Sequence, residues 1–126
     1  MLATQPNGGL SVPPRKHKCA ELSERHGRRV LETGAVKAPK VLKQVNPDLE
    51  ELNRRGFCHA GRLLFEVLIN ETGEVECIEI VANDACSKEG IEMVLKALYQ
   101  WQYSPPLDAK GVPVACYWIV SMNLCA

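Results

Sequence analysis

The chain has 126 residues, 46% of them hydrophobic and 24% charged, which predicts a single globular domain with an apolar core. Fifteen Lys and Arg residues balance fifteen Asp and Glu residues, which argues against a wholly basic nucleic-acid-binding protein. The balance conceals a division, because residues 1–45 carry nine basic and three acidic side chains and residues 46–126 carry six and twelve. No segment predicts a membrane span or a signal peptide, so we expect any export signal or anchor to lie outside this sequence.

The N-terminal region is basic and poor in apolar residues. Gly, Pro, Ser and Asn dominate residues 1–14, and six Lys or Arg side chains follow within residues 15–31. We therefore predict that residues 1–35 form a flexible basic linker or tail, with attraction to anionic lipid or nucleic acid as the alternative. Any nucleic-acid binding by this region would lack sequence specificity.

A short strand and a short helix are predicted next. Residues 40–45 are compatible with an edge strand. Asn46 suits a helix N-cap and Pro47 suits the first helical position, while Gly56 is placed to end the helix. The narrow apolar face of this helix consists of Leu49 and Leu52.

Residues 61–82 predict a β-hairpin. Apolar residues alternate along its first strand, and residues 70–73 form the turn, in which Gly73 supplies a left-handed conformation. The return strand, residues 75–81, alternates less clearly, so the direction of Cys77 stays open. The predicted buried residues of the first strand are Leu63, Phe65, Val67 and Ile69.

A second helix and a long strand complete the predicted fold. Ser87 is suited to cap the helix, Pro105 and Pro106 prevent its continuation, and residues 111–113 form a turn before a final strand at 114–124. The order (β)αββαβ predicts an α+β domain in which two helices pack on one face of an antiparallel sheet of about three strands. The apolar stripe of the helix consists of Ile91, Val94, Leu95, Leu98 and Trp101.

The sequence contains no recognisable catalytic motif. It lacks a phosphate-binding Gly-rich loop, a nucleophile elbow and a His-Glu-x-x-His pair, and His17 and His26 lie in the basic region. Six cysteines without a Cys-x-x-Cys pair favour one to three disulfides or buried thiols over a zinc site, although Cys58 and His59 are adjacent. We therefore predict neither an enzyme, nor a metal site, nor a cofactor.

The final strand is the candidate site. It is long and rich in aromatic residues, and no later element is predicted to cover its edge, so an extended peptide could pair with it. The alternatives are a central strand packed on both faces, or pairing with a second copy to give a strand-exchanged dimer. The predicted contact residues are Val114, Cys116, Tyr117, Trp118, Ile119, Val120, Ser121, Met122 and Asn123.

Four segments from residue 36 to the end resemble, in order, the C-terminal domain of TonB-type energy transducers. They are the lead-in at residues 37–47, the hairpin at 61–75, the Trp-x-Tyr-x-Pro motif after the second helix, and the Gly-x-Pro-Val motif before the final strand. The family's Tyr-Pro pair at the first helix is absent, and residues 57–60 lengthen the following loop. The motif residues are Gly73, Trp101, Tyr103, Pro105, Gly111 and Pro113.

The resemblance implies a domain at residues 36–126 that lies in the periplasm, at the end of a protein anchored in the inner membrane. Its final strand would pair with an extended segment of an outer-membrane TonB-dependent receptor and transmit force derived from the proton gradient. Inner-membrane proton-channel proteins would contact the region upstream of this chain. The alternatives are a TonB-like fold used for another envelope interaction or for sensing, and a thiol- or metal-dependent enzyme.

Overall fold

The structure, a computed structural model, describes Cys19 and residues 29–124. It is an α+β fold, as predicted, but it has more strands than the three expected. A four-stranded sheet has the order β1-β6-β3-β4, and β2 pairs with β5 in a separate two-stranded ribbon. In chain order the elements are β1 (Val30–Leu31), a 3₁₀ turn (Thr33–Ala35), β2 (Val41–Lys43), α1 (Leu49–Arg54), β3 (Gly61–Ile69), β4 (Val75–Asn83), α2 (Lys88–Leu98), β5 (Gln102–Tyr103) and β6 (Ala115–Leu124).

The predicted hairpin is formed by β3, an interior strand of the sheet, and β4, its edge strand. Gly73 in its turn has a φ of 90°, a left-handed conformation that favours glycine. A Cβ atom on Gly73 would also collide with the carbonyl oxygen of Tyr103. The Asn70 side chain accepts hydrogen bonds from the backbone N–H groups of Thr72 and Glu74 at 3.0 and 2.9 Å, which fixes the turn.

The main core lies between the sheet and the two helices. The four predicted inward residues of β3 are completely buried, and they pack against Leu52 of α1 and against Ile91, Val94 and Leu98 of α2. Both helices therefore lie on one face of the sheet, as the sequence predicted. Burial of these apolar side chains is the dominant favourable term in the stability of the fold.

Helix α1 begins two residues later than predicted. Asp48 is the N-cap, because its carboxylate accepts a hydrogen bond from the Glu51 N–H at 3.0 Å. Asn46, the predicted cap, instead accepts a hydrogen bond from the Gln44 side chain at 2.8 Å. The prediction was wrong because Asn46 and Asp48 are both good caps, and the sequence alone did not show which one turns toward the helix.

The end of α1 agrees with the prediction, but its apolar face does not. Gly56 has a φ of 70° directly after the helix, so it ends the helix as expected. Leu52 is 1% exposed, whereas Leu49 is 47% exposed and lies outside the core. The apolar face of α1 is therefore a single leucine, and Leu49 is available for another role.

Helix α2 and the segment after it follow the sequence pattern closely. The Ser87 hydroxyl accepts a hydrogen bond from the Gly90 N–H at 3.2 Å and caps the helix. The helix ends at Leu98, so Trp101 lies beyond it rather than on its stripe, although the ring is buried. Residues 102–103 leave the helix as an extended strand, as predicted.

The folded unit begins before the boundary predicted at residue 36. Strand β1 pairs in parallel with the start of β6, and Cys19 forms a disulfide with Cys77 on β4. Arg29 also forms an ion pair with the buried Asp108 at 3.1 Å. The sequence could not show these contacts, because each joins residues that are at least 58 positions apart. The prediction of a flexible tail over residues 1–18 and 20–28 lies outside the described residues.

Candidate functional site

Strand β6 pairs with β3 along nearly its whole length. The register runs antiparallel from Cys116 opposite Ile69 to Leu124 opposite Gly61. The predicted alternation of β6 is confirmed, since Cys116 and Val120 belong to the core on the helix-bearing face while Ser121 on the opposite face is exposed. One edge of β6 is thus occupied by β3, and any partner must use the other edge.

Among the residues that the structure describes, a strand pairs with the other edge of β6 only at its beginning. Val30 and Leu31 of β1 lie opposite Ala115 and Cys116, and the Thr33 hydroxyl donates a hydrogen bond to the carbonyl oxygen of Tyr117 at 2.7 Å. The 3₁₀ turn follows β1 directly and also contacts β6. We refer to residues 115–117 as the covered part of β6.

Residues 118–124 form what we refer to as the open part of β6. In the described portion of the chain, no strand pairs with the outer edge of these seven residues. The sequence left open whether the final strand is central or at an edge. The structure shows that its covered part is central and its open part is an edge strand.

A groove of about 380 Å³ lies against the open part of β6. Four consecutive β6 residues, 121–124, line it together with Gln44, Asn46, Pro47, Leu49 and Trp101. Because successive strand residues point to opposite faces of a sheet, a groove that touches four in a row must follow the edge of the strand. An added strand would therefore enter this groove rather than lie on a face of the sheet.

The far wall of the groove is held in place by Trp101. The indole N–H of Trp101 donates a hydrogen bond to the carbonyl oxygen of Val45 at 2.8 Å, which fixes the lead-in to α1 beside the core. The buried tryptophan forms the floor of the groove, and exposed Leu49 forms part of its wall. This arrangement places the apolar side chains of Pro47, Leu49 and Trp101 in the groove next to the unpaired strand edge, beside the amides of Gln44 and Asn46.

The residues predicted as partner contacts fall into two groups. Val114, Cys116 and Tyr117 are buried and lie at or before the covered part, so the structure places them away from the open edge. At this edge Leu31 of β1 lies opposite Cys116, and Thr33 donates its hydrogen bond to the carbonyl oxygen of Tyr117. That these three residues contact a partner stays a prediction. The other predicted contact residues lie in the open part. Val120 is buried, Trp118 and Met122 are half-buried, and three are exposed: Ile119, Ser121 and Asn123.

The sequence did not identify the far wall of the groove. Gln44, Asn46, Pro47 and Leu49 line it, but they are distant from β6 in sequence and only tertiary folding brings them together. The one available signal was Leu49, an apolar residue in a helix too short to bury a second leucine well.

The predicted motif residues are structural. Gly111 has a φ of 80° in the turn before β6, where the Asp108 carboxylate accepts hydrogen bonds from the N–H groups of Lys110 and Val112 at 2.8 and 2.9 Å. The hydrogen bond from the Val112 N–H is the main reason that the pKa of Asp108 lies below its usual range, and the hydrogen bond from Lys110 lowers it further. Of the remaining motif residues, Tyr103 is buried, Pro105 is exposed after β5, and Pro113 forms a β-bridge with Leu107.

The cysteines form two disulfides in the described residues, Cys19–Cys77 and Cys58–Cys86. Cys116 is a free thiol, completely buried, and burial raises its pKa to about 12. Within residues 29–124 and Cys19, no group of three or more His, Cys, Asp or Glu side chains could hold a metal ion. Two disulfides are compatible with a location outside the cytoplasm, where such bonds persist.

None of the helices in the described part of the chain has the length and apolar character needed to cross a membrane. The fold and the groove together define a class, a small α+β domain in which, among the described residues, the outer edges of β4 and of residues 118–124 are unpaired, and a groove follows the second of these edges. Comparison with protein-family models and with curated proteins finds no match to this chain.

Proposed function

We propose that this domain is the receptor-binding module of a TonB-like energy transducer and that it binds an outer-membrane transport receptor by β-strand addition. The observation that supports the proposal best is the groove along the outer edge of residues 121–124. An unpaired edge exposes N–H and C=O groups that pair readily with another extended chain. The groove offers space beside those groups for the side chains of such a chain.

Main-chain pairing suits a module that serves several receptors. The backbone groups of an extended peptide are the same whatever its sequence, so strand addition supplies affinity without requiring one particular partner. The nine-residue pairing of β6 with β3 anchors the edge strand in the sheet. Tension applied to the bound peptide would therefore pass through β6 into the central strand.

The proposed location is the periplasm, with the domain attached to an inner-membrane anchor and to proton-channel proteins through a region upstream of this chain. The two disulfides support this placement, because an oxidising compartment stabilises them. A TonB-like fold used for another envelope interaction would employ the same edge, and it would be favoured if the full-length protein lacked a single N-terminal membrane span.

The thiol chemistry of an enzyme fits the structure poorly. The thiolate is the nucleophilic form of cysteine, and Cys116 is completely buried with its pKa raised to about 12. His59 is exposed, and its ring Nδ1 lies 2.8 Å from the carbonyl oxygen of the adjacent Ala60. Neither residue therefore resembles an activated nucleophile or its base.

The proposal is tested by NMR titration of the ¹⁵N-labelled chain with extended peptides taken from the periplasmic segments of TonB-dependent receptors. We expect the backbone amides of residues 118–124 to shift, while those of 79–83 on the opposite edge of the sheet stay unchanged. Two sets of control peptides, N-methylated at the odd and at the even residues, each lack the N–H donors of one edge, so we expect one set to lose binding and the other to keep it. Saturating concentrations that leave residues 118–124 unmoved would contradict the proposal.

A further inference from the structure

The two sides of an added strand would meet different surroundings. On the helix-bearing side, its side chains would face the groove wall formed by Pro47 and Leu49 and the floor formed by Trp101. On the opposite side they would lie beside Ile119, which is exposed and does not line the groove. Because strand side chains alternate between faces, every second residue of a bound segment would enter the groove.

The part of the groove lining that the structure describes is uncharged. None of its described lining residues carries a charged side chain, and its most polar members are the amides of Gln44, Asn46 and Asn123. Gln44 and Asn46 already share a hydrogen bond of 2.8 Å. A charged side chain that entered the groove would lose part of its hydration without meeting a counter-ion, which is unfavourable.

We propose that the groove selects its ligand, an extended segment of a partner protein, by requiring uncharged, apolar side chains at alternate positions on the helix-bearing side. This inference rests on the proposed strand addition. Polar and charged side chains are tolerated at the intervening positions, since those face solvent on the side of exposed Ile119. Four β6 residues line the groove, so two successive groove-facing side chains of the ligand decide whether it fits.

The requirement is tested with two synthetic heptapeptides of identical composition and charge. In Val-Lys-Val-Lys-Val-Lys-Val, one register places only valines in the groove. In Val-Val-Lys-Lys-Val-Val-Lys, every register places at least one lysine among two successive groove-facing positions. With the oxidised full chain, we expect the alternating peptide to bind at least about tenfold more tightly, as measured by calorimetry and by amide shifts of residues 118–124.

A substitution in the groove wall provides the reciprocal test. Leu49→Asp places a carboxylate beside the bound side chains, so we expect it to reduce or reverse the preference between the two peptides. Leu49 is 47% exposed, and the variant should therefore keep its fold. The matched control is Leu42→Asp, at a leucine that is 67% exposed and does not line the groove, and it should leave both affinities unchanged.

The outcomes separate this inference from the function on which it rests. Equal affinities for the two peptides, with sensitivity to N-methylation retained, would overturn the selection by the groove and leave strand addition intact. Failure of both peptides and of the receptor peptides to bind would overturn both proposals. A concentration-dependent dimer that excludes the peptides and is disrupted by Leu49→Asp would identify a second copy as the occupant and overturn the choice of a partner segment.

Discussion

The covered and open parts of β6 belong to one strand with one sequence pattern, but their surroundings differ. In the covered part, β1 pairs with residues 115–116, β3 pairs with residues 116–117, and both faces are packed. On one side is the main core, and on the other is a small cluster that includes Cys19, Leu68 and Tyr117. In the open part, β3 is the one strand of the described chain that pairs with residues 118–124, and Ile119 is 44% exposed.

The contrast shows how one strand can serve two purposes. The covered part attaches β6 to the N-terminal strand and to the rest of the domain, whereas the open part exposes main-chain groups beside the groove. The length available to a partner strand is set by the place where β1 ends. The pairing of Val30 and Leu31 and the hydrogen bond from Thr33 therefore define the upper limit of the proposed site.

The test with the largest expected effect compares the stability of variants at two leucines on the same face of β3. Leu68 lies opposite Tyr117 in the covered part, and Leu64 lies opposite Ser121 in the open part. Leu68 is completely buried, so Leu68→Ala should lower the free energy of unfolding by about 2–5 kcal/mol through loss of apolar contacts and formation of a cavity. Leu64→Ala should cost about 1 kcal/mol or less. If urea denaturation shows that the two variants lose similar amounts of unfolding free energy, the contrast between the covered and open parts is contradicted.

The second test removes the disulfide that fastens the N-terminal segment to the sheet. The double substitution of Cys19→Ala and Cys77→Ala opens a loop between residues 58 positions apart and should cost about 2–4 kcal/mol. Hydrogen exchange should accelerate at residues 115–117 and change little at 118–124, because only the covered part borders this disulfide cluster.

The matched control for that test is the pair of substitutions Cys58→Ala and Cys86→Ala, which removes the other disulfide. It should also reduce stability, but without a selective effect on residues 115–117, since Cys58 and Cys86 belong to the main core and not to the small cluster. Equal exchange profiles for the two double variants would show that Cys19–Cys77 does not secure the covered part.

The third test uses the pH dependence of stability. Burial raises the pKa of Cys116 to about 12, so the folded chain keeps the thiol proton at pH values where the unfolded chain loses it. This contribution is complete below the ordinary thiol pKa of about 8.5 and declines above it by about 1.4 kcal/mol per pH unit. Burial also raises the pKa of Tyr103 to about 12, so its contribution declines above about pH 10.

Urea denaturation between pH 8 and 10 should therefore show stability falling with pH. Cys116→Ala should flatten this decline, because it removes the titrating thiol from the covered part. If the wild-type chain and the variant have the same slope, the thiol is not protected from solvent and the covered part is less closed than its burial indicates.

The test with the smallest expected effect concerns the boundary between the covered and open parts of β6. Thr33→Val removes the 2.7 Å hydrogen bond to the carbonyl oxygen of Tyr117 and should cost about 1 kcal/mol. Hydrogen exchange should increase at residues 30–31 and 115–117, which would extend the open edge toward the start of β6. Ser121→Ala, at an exposed position in the open part, is the control and should change stability by less than about 0.5 kcal/mol.

Much of the local structure could be predicted because it depends on neighbouring residues. The alternation of β3, the left-handed Gly73 and the Ser87 cap each follow from chemistry within a few positions of the chain. The start of α1 was misplaced for the same reason, since Asn46 and Asp48 compete locally and only the hydrogen bond to the Glu51 N–H decides between them. The β1 strand was missed because two residues carry too little pattern to be recognised.

The sequence by itself determined that two helices cover one face of a sheet and that its last strand alternates between a core face and an outer face. The tertiary structure alone decided which part of that strand is open, which cysteines are bonded and where Leu49 lies. The alternation of inward and outward side chains repeats every two residues, so the sequence of each strand shows it without reference to its neighbours. Edges and grooves arise only when segments as distant as residues 44–49 and 121–124 come together, and no local pattern encodes that meeting.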